Sequence, residues 1–312
     1  MHLNPLTVRV LGQLTFTCTN GIHIGAGGEG VYRSSLRVGE MLVIPATTWK
    51  GVFRAISERI IVSMRLVGIE DTLRRLYRED GQGVGFKIDE MSPTETEALR
   101  DHITKNYEAV RDALGHLAAG NSEVTMKLTV LRDGDGLSDF LLKESTGKSL
   151  LQRYLGTLYP ITSLYGSEGV AGKMRFLDTL ARALVYYKPG VGINRNTLTT
   201  SEGRLYFTEV MLPEDNLITL RLIFDNVMRG TTEARLLAST LRYVKSEGVQ
   251  IGGLKSRGIG HLELNEDKSH FRILDLSEKI DLNTKIRRIA SPRNWEIKIF
   301  DEFLKGLSNV GE

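Results

Sequence analysis

The sequence contains little cysteine, little proline and only a small net charge. Its 312 residues include one cysteine and seven prolines, and 41 Lys and Arg residues nearly balance 38 Asp and Glu residues. A single cysteine, Cys18, excludes an internal disulfide and a cysteine-based metal cluster, and it is expected to be a small buried hydrophobe. With a net charge of +3, any nucleic-acid surface must come from clustered cations rather than from excess charge.

Long apolar runs are also missing. No stretch is long enough to span a bilayer, and residues 1–5 lack the basic and then apolar pattern of a secretory signal. We therefore expect a cytoplasmic protein with no membrane partner. The hydrophobic content of 41% and the charged content of 25% are ordinary for a globular protein, and a chain of this length can bury a large core.

Periodic apolar residues predict the secondary structure of the first part of the chain. Alternation predicts a strand over Leu6–Thr17 and a shorter strand over Met41–Ile44. Thr47 or Thr48 is expected to cap a helix that runs from about Trp49 to about Met64.

The middle of the chain changes character. The stretch from about residue 65 to 120 is highly charged with a helical pattern, and we interpret it as an inserted helical subdomain. Ser92-Pro93-Thr94-Glu95 has the residues that begin a helix. Val124–Val130 is expected to form a strand, and residues 185–212 a long hairpin.

The last part of the chain has clear helix boundaries. Thr231 is expected to cap a helix over about Thr232–Ser246, and Gly248 stands where a terminating glycine belongs. Strand patterns over Ile218–Phe224 and His261–Leu264 flank this helix. One β-α-β unit at each end of the chain predicts an α+β protein with a ferredoxin-like (RRM-like) core that carries insertions.

A first glycine-rich loop follows the first strand. Gly25, Gly27 and Gly30 match the dinucleotide fingerprint G-x-G-x-x-G. That fingerprint requires a helix next and an acidic residue further on, whereas Val31–Val38 has no helical pattern. We therefore expect no cofactor here, and a nucleotide-dependent enzyme is kept as an alternative hypothesis.

A second glycine-rich run lies near the C-terminus. Glycine permits close approach of the backbone to a ligand, and backbone amides interleaved with cations form a good phosphate site. A flexible hairpin turn is the competing interpretation, and the run alone does not decide between them. The run holds four glycines, two cations and a hydroxyl in the order Gly252, Gly253, Lys255, Ser256, Arg257, Gly258 and Gly260.

The first predicted helix adds candidate RNA contacts. Amides at a helix N-terminus attract phosphate, and Lys50 and Arg54 share one helix face because they lie four residues apart. Trp49 or Phe53 could stack on a base, although Phe53 is expected to be a core residue.

Together these segments resemble the RAMP superfamily of CRISPR-associated proteins. The similarity extends from about residue 6 to 264, and its specificity comes from the order of the segments rather than from any one of them. The segments are Ile22-His23-Ile24-Gly25, the run from Ile44 to Arg54, Ser163-Leu164-Tyr165-Gly166, Ile193-Asn194-Arg195 with Gly203-Arg204-Leu205-Tyr206, and Ile251 to Gly260.

The resemblance is closest to the RRM-like backbone subunits of type III effector complexes. Those subunits bind the guide part of CRISPR RNA and stack along it as a filament in antiviral defence. The resemblance implies four kinds of partner, namely the guide RNA, complementary target RNA, other RAMP subunits and a large polymerase-like subunit.

The same resemblance assigns roles to individual residues. It implies that Lys50 and Arg54 contact RNA phosphates and that Lys255 and Arg257 line the glycine-loop face. It places Arg195 near a thumb-like hairpin that separates guide segments. His23, beside the first glycine loop, is a further candidate for RNA binding.

Target-cutting relatives carry an aspartate in the loop after the Ile-Gly segment. Here that position is Gly30, and Glu29 is the nearest carboxylate. We therefore expect a non-catalytic subunit that holds no metal. The alternative is an RNA-cleaving RAMP protein that uses Glu29 with a divalent metal, or His23 or His261 as a general base.

Overall fold

The computed structural model describes residues 5–27, 32–80, 83–193, 200–277 and 281–308 as a mixed α+β protein. The chain divides into two compact units, the first made of Met1–Leu6 and Glu58–Lys173 and the second of Thr7–Ser57 and Met174–Glu312. In chain order the strands are β1 (Val8–Thr17), β2 (Tyr32–Arg33), β3 (Arg37–Val38), β4 (Met41–Ile44), β5 (Tyr77–Asp80), β6 (Gly83–Phe86), β7 (Met174–Phe176), β8 (Thr179–Ile193), β9 (Thr200–Pro213), β10 (Leu217–Asp225), β11 (Val249–Gln250), β12 (His261–Asp275) and β13 (Glu296–Ile299). The α-helices are α1 (Ala46–Ser63), α2 (Ile69–Leu76), α3 (Pro93–Lys105), α4 (Tyr107–Leu117), α5 (Ser122–Val130), α6 (Gly134–Lys143), α7 (Ser145–Leu158), α8 (Pro160–Tyr165), α9 (Thr232–Glu247), α10 (Leu282–Ala290) and α11 (Phe300–Ser308).

The second unit contains an antiparallel sheet in the order β11-β12-β1-β10-β7, with β13 paired to β12. The predicted strand at β1 is confirmed, and its alternation buries Leu14 and Phe16 on one face. Gly12 lies on that face because a Cβ there would come within 3.0 Å of the Phe271 ring. Close packing of the core therefore explains this glycine.

Helix α9 has the boundaries that the sequence predicts. The Thr231 hydroxyl accepts a hydrogen bond from the amide of Ala234 at 3.2 Å, and Gly248 ends the helix with φ of +68°. The buried Thr240 hydroxyl of this helix lies 2.7 Å from the Ser57 hydroxyl of α1. Both helices therefore belong to one core.

A second sheet of the same unit has the order β2-β9-β8-β4-β3. Strands β8 and β9 pair antiparallel from Ala183 opposite Pro213 to Ile193 opposite Thr200. An isolated bridge between Ile22 and Met211 joins the segment after β1 to β9. This bridge places the segment that follows β1 beside the β8–β9 hairpin.

Helix α1 begins three residues earlier than the predicted start at Trp49, and the prediction of a threonine cap was wrong. The backbone amide of Ala46 donates to the carboxylate of Asp178 at 2.7 Å, whereas Thr47 and Thr48 lie within the first turn. The carboxylate of Asp178 therefore already accepts a hydrogen bond from one of the helix N-terminal amides that we expected to bind phosphate.

The first unit is mainly helical, and the predicted bounds 65–120 fall inside it. The predicted start of α3 is confirmed, since Ser92 and Glu95 form a reciprocal capping box. The predicted strand at Val124–Val130 was wrong, because these residues lie in α5. The Asn121 side chain caps α5 at the amide of Val124, and Leu128 is buried one turn further on. Among the helices within the described residues, none combines the length and apolar character needed to cross a membrane.

One buried carboxylate ties together three strands of the main sheet. Asp225 on β10 lies 2.7 Å from the Nε of Arg9 on β1 and also pairs with Arg175 on β7. Burial raises the pKa of the Asp225 carboxyl, but the hydrogen bonds from both arginines outweigh that effect and hold the pKa below its usual value. Asp225 therefore stabilises the fold in its charged form.

Asp225→Asn is expected to destabilise the second unit by about 2 kcal/mol at neutral pH. This figure is below that for a fully buried ion pair because both arginines are partly exposed to solvent, which screens their charges. A carboxyl whose pKa is lowered by folding contributes stability at any pH above its unfolded pKa of about 3.9. That stability is lost as the pH falls through the folded pKa. The difference in unfolding free energy between the wild type and Asp225→Asn should therefore narrow as the pH falls below the unfolded pKa of about 3.9. Urea unfolding followed by tryptophan emission measures it, because Trp49 and Trp295 both lie in this unit and are the only tryptophans.

Asp101→Asn is the matched control for this prediction. Asp101 pairs with Lys105 on the surface of α3, four residues apart, and such pairs contribute roughly 0.5 kcal/mol or less. An Asp225→Asn protein as stable as the wild type at neutral pH would contradict the role given to this carboxylate.

Candidate functional site

The second glycine-rich run forms a closed loop that is held against the segment after β1. The amide of Gly253 donates to the carbonyl of His23 at 2.8 Å, and the amide of Gly260 donates to the carbonyl of Gly21 at 2.9 Å. The neck of the loop is closed by a hydrogen bond from the amide of Ile251 to the carbonyl of Gly260 at 2.8 Å. The loop therefore has a fixed base and does not behave as a free hairpin turn.

Most of the glycines in this loop are explained by the protein's own packing. A Cβ on Gly260 would lie 2.0 Å from the carbonyl oxygen of Ile251, and one on Gly252 would lie 2.3 Å from that of His23. Both glycines have positive φ, +80° and +79°. Gly258 also has a positive φ, +78°, but nothing lies within 4 Å of its Cβ position among the described residues. Of these three glycines, only Gly258 has the open space that would let a ligand approach the backbone closely.

The tip of the loop carries its charge. Lys255, Ser256 and Arg257 form one turn of 3-10 helix, and all three side chains are exposed. Leu254, directly before them, has a left-handed backbone with φ of 58°, a conformation that costs a non-glycine residue of order 1 kcal/mol. The fixed base thus holds a strained turn that presents two cations to solvent.

A cluster of cations surrounds an aromatic ring beside this tip. The guanidinium carbon of Arg33 lies 4.4 Å from the centre of the Tyr206 ring, and that of Arg257 lies 5.4 Å from it. The Lys188 ammonium donates to the carbonyl of Arg257 at 3.1 Å. Tyr206 lies across its strand partner Gly190, where a Cβ would fall 2.3 Å from the ring. We call Arg33, Lys188, Tyr206 and Arg257 the hairpin–loop cluster.

This cluster combines two features that suit an RNA strand. Its three cations are exposed and come from three separate segments of the chain, so they concentrate positive charge on a protein of low net charge. Cations held over an aromatic ring are also oriented. The arrangement can bind successive phosphates of an extended anion.

His23 supports the glycine-rich loop from below. Its side chain is only 7% exposed, and Nδ1 lies 2.8 Å from the carbonyl oxygen of Glu209 and 3.0 Å from the hydroxyl of Ser35. Because a carbonyl only accepts, Nδ1 carries the proton and donates to Glu209. The ring also lies within 4 Å of the Cβ positions of Gly25 and Gly253. The two glycine-rich segments therefore meet at this histidine.

The described part of the first glycine-rich loop is not a dinucleotide turn. Gly25 bridges to Ser35, and the amide of Ala26 donates to the carbonyl of Ser34 at 3.1 Å. In the described residues β2, β3 and β4 come next, and the first helix after the loop is α1. Among the residues that the structure describes here, none forms the helix that the fingerprint requires directly after the loop.

Several candidate residues lie outside the described residues or outside this site. Glu29, Gly30 and Arg195 are not among the described residues. Within the described ranges, no group of three or more His, Cys, Asp or Glu side chains is arranged to hold a metal ion. His261 lies on the first residue of β12, where its Nε2 is 3.7 Å from Glu263.

The residues proposed on α1 have different positions. Trp49 is fully buried, stacks on Phe16 at 5.5 Å and donates from its indole to Thr179, so the suggestion that it stacks on a base was wrong. Phe53 is also fully buried, as expected. Lys50 is half-buried, which lowers the pKa of its ammonium, and the neighbouring charge of Arg54 lowers it further.

Lys50 makes no hydrogen bond or ion pair with the glycine-rich loop among the described residues. Its lowered pKa means that its surroundings oppose the charged form, because burial and Arg54 both disfavour a further cation.

Comparison with known protein families identifies the family of this chain. A family model described as the RAMP superfamily matches residues 15–263, most of the chain. The chain belongs to the RAMP superfamily. No curated protein matches the chain in a sequence search. Membership of the RAMP superfamily implies a CRISPR-related role in RNA binding, with RNA and other subunits of a CRISPR complex as the suggested classes of partner.

The RAMP match includes both glycine-rich segments. Sequence patterns gave no role to Arg33 or Lys188, and they placed Tyr206 only within a segment that resembles the family. Arg33, Lys188 and Tyr206 lie on β2, β8 and β9, and they meet because Arg33 and Lys188 both stand opposite Thr208 in the sheet. Strand alternation indicates which residues of one strand share a face. The register between β2 and β9, which are far apart in the sequence, cannot be read from local patterns. The sequence therefore held no signal that would have identified the cluster.

Proposed function

We propose that this RAMP protein is a guide-RNA-binding backbone subunit of a type III CRISPR effector complex. In this role it helps to build the ribonucleoprotein filament in antiviral defence and does not itself cut RNA. Its partners are the guide RNA, the complementary target RNA, other RAMP subunits and a large polymerase-like subunit, all in the cytoplasm.

The observation that carries the proposal is the position of the hairpin–loop cluster beside the tip of the glycine-rich loop. Arg257 belongs to both, and Lys255 and Ser256 extend the exposed turn next to it. A single-stranded RNA is bound by cations that follow its phosphates, together with amides that lack obstructing side chains. Gly258, with open space at its Cβ position, provides such a backbone.

The topology supports a ferredoxin-like core for the second unit. The order β12-β1-β10-β7, with α1 after β1 and α9 after β10, is the one expected when two β-α-β units interleave in one antiparallel sheet. We propose that residues 1–312 form one RAMP domain into which the helical segment 65–120 is inserted. Residues 185–212 of β8 and β9 would then be the thumb-like hairpin.

The RNA-binding residues in this proposal are those of the loop, of α1 and of the hairpin. Gly252, Gly253 and Gly260 set the loop's shape, and His23 supports it from beneath. The side chains and backbone proposed to face RNA are Lys50, Arg54, Arg195, Lys255, Ser256, Arg257 and Gly258. The glycine at position 30, where target-cutting relatives carry aspartate, supports a role without catalysis.

The test is binding of single-stranded RNA by the full chain and by Lys255→Ala/Arg257→Ala. Losing two phosphate contacts is expected to weaken binding roughly tenfold or more. Fluorescence anisotropy with a labelled guide-sequence RNA measures the affinity. Gel analysis of complementary target RNA, incubated with guide-loaded protein and a divalent cation, should recover it intact.

Lys105→Ala/Lys143→Ala is the control with the same loss of charge. Both lysines lie on the helical unit, where each pairs with an aspartate four residues earlier. Equal affinity of all three proteins would remove the loop from the RNA site. Target cleavage that is lost with EDTA or in Glu29→Ala would overturn the non-catalytic role.

A further inference from the structure

The β8–β9 hairpin has a second face that the hairpin–loop cluster does not use. On that face the rings of Tyr32 and Phe207 stack at 5.5 Å with an angle of 18°, and Tyr187 meets Tyr32 edge-on at 6.3 Å. Tyr32 stands directly opposite Phe207 in the sheet, and Pro189 is the partner of Phe207 on its other side. Three aromatic rings thus lie side by side on three neighbouring strands.

Two of the three rings are exposed, unlike the aromatic residues of the core. Tyr32 is 66% exposed and Tyr187 is 54% exposed, whereas Phe16 and Trp49 are fully buried. Phe207 is half-buried between them, so the two tyrosine rings contribute little to the core. An exposed group of aromatic side chains marks a binding surface more often than a chance arrangement.

The electrostatics of this face suit a polyanion. Its acidic residue, Glu209, is buried and lies 2.8 Å from the Nε of Arg37, so the carboxylate is neutralised. The Arg37 side chain remains 43% exposed. The described part of the face therefore presents rings and a cation, with its carboxylate withdrawn from solvent.

The aromatic face and the hairpin–loop cluster share the same short stretches of strand. On β2, Tyr32 and Arg33 are consecutive, as are Tyr187 and Lys188 on β8 and Tyr206 and Phe207 on β9. Consecutive residues of a strand point to opposite faces. Since β2 is an edge strand, an RNA strand can cross this edge without threading through the sheet.

We propose that Tyr32, Phe207 and Tyr187 form a stacking platform for unpaired nucleobases. This inference rests on the proposed RNA-binding function and assigns it a site for bases. The phosphates lie along Arg33, Lys188 and Arg257, and a base that turns over the β2 edge stacks on the aromatic face. Stacking does not depend on base identity, because every base has an aromatic face. The platform therefore supports a subunit that must accept any guide sequence.

The test compares oligouridine with a strand of the same length in which alternate nucleotides lack their bases. Wild type is expected to bind oligouridine about fivefold or more tightly than the abasic strand, the minimum effect of one stacked base. Tyr32→Leu/Tyr187→Leu keeps apolar side chains but removes two rings, and its preference should fall to nearly one. Tyr32→Phe should keep the preference, and so should Tyr243→Leu, which removes a partly exposed tyrosine of α9.

The outcomes separate this inference from the function on which it rests. No binding of either strand by wild type would refute the proposed function, and the platform with it. Binding with an equal base preference in wild type and Tyr32→Leu/Tyr187→Leu would refute the platform alone. If that variant instead changed self-association in sedimentation velocity while keeping the preference, the face would be a protein interface.

Discussion

Gly260→Ala is expected to destabilise the second unit by on the order of 4 kcal/mol. Alanine at this position must adopt a φ near +80°, and its Cβ would lie 2.0 Å from the backbone oxygen of Ile251. Neither group can move freely, because Gly260 donates to Gly21 and accepts from Ile251. Urea unfolding followed by tryptophan emission reports this loss from the second unit alone, since both tryptophans lie there.

Gly258→Ala separates backbone strain from the steric clash. Gly258 has nearly the same φ, +78°, but open space around its Cβ position, so alanine should cost only about 1 kcal/mol there. A Gly258→Ala protein as unstable as Gly260→Ala would mean that conformation rather than packing dominates. If Gly260→Ala unfolded at the same urea concentration as wild type, the closed loop described above would be incorrect.

Neutralising the hairpin–loop cluster is expected to weaken single-stranded RNA binding by on the order of 100-fold at low salt. The variant is Arg33→Gln/Lys188→Gln/Arg257→Gln, in which glutamine keeps a donor for the Arg257 carbonyl and removes three charges. Each phosphate contact on single-stranded RNA contributes about 0.7 to the slope of log K against log salt. The slope should therefore become shallower by about 2, which anisotropy titrations at several salt concentrations measure.

Lys105→Gln/Arg111→Gln/Lys143→Gln is the matched control in the helical unit. It removes the same charge, and Arg111 lies over the ring of Tyr107 much as Arg33 lies over that of Tyr206. Its salt slope should equal that of wild type. A parallel loss of slope in both variants would show that RNA responds to overall charge and not to this cluster.

Parts of the fold that depend on neighbours in sequence were predictable. The helix start at Ser92, the cap at Thr231 and the terminating glycine at Gly248 all involve residues within four positions of each other, and all three predictions are confirmed. Burial of Cys18 followed from its place in an alternating apolar run and is also confirmed.

Errors arose where a distant residue or a competing local signal decided the outcome. The cap of α1 is Asp178, which no pattern near Ala46 could reveal. In Val124–Val130 the β-branched residues favoured a strand, but Asn121 caps a helix whose apolar residues lie four apart. Tertiary packing then selected the helix.

The candidate site was partly visible in the sequence. The exposed cations Lys255 and Arg257 could be identified because they stand between glycines. Their aromatic neighbour Tyr206 could not be assigned a role, because its position beside Arg33 and Lys188 depends on how β9 pairs with β2 and with β8. The contribution of His23 as a support also depends on a contact between two segments from opposite ends of the chain.

The attachment of the glycine-rich loop to Gly21 and His23 has a consequence for protein synthesis. Strand β1 pairs on one side with β10 and on the other with β12, both encoded after the whole helical unit. While the ribosome makes the intervening residues, β1 has unpaired edges that are prone to aggregation. The helical unit, nearly continuous in sequence, can fold during that time, whereas the loop, its histidine support and the neighbouring cations come together only when β12 emerges. The surface proposed to hold RNA therefore forms only after the whole helical unit has been made, and a chain that ends before Gly252 would lack its loop.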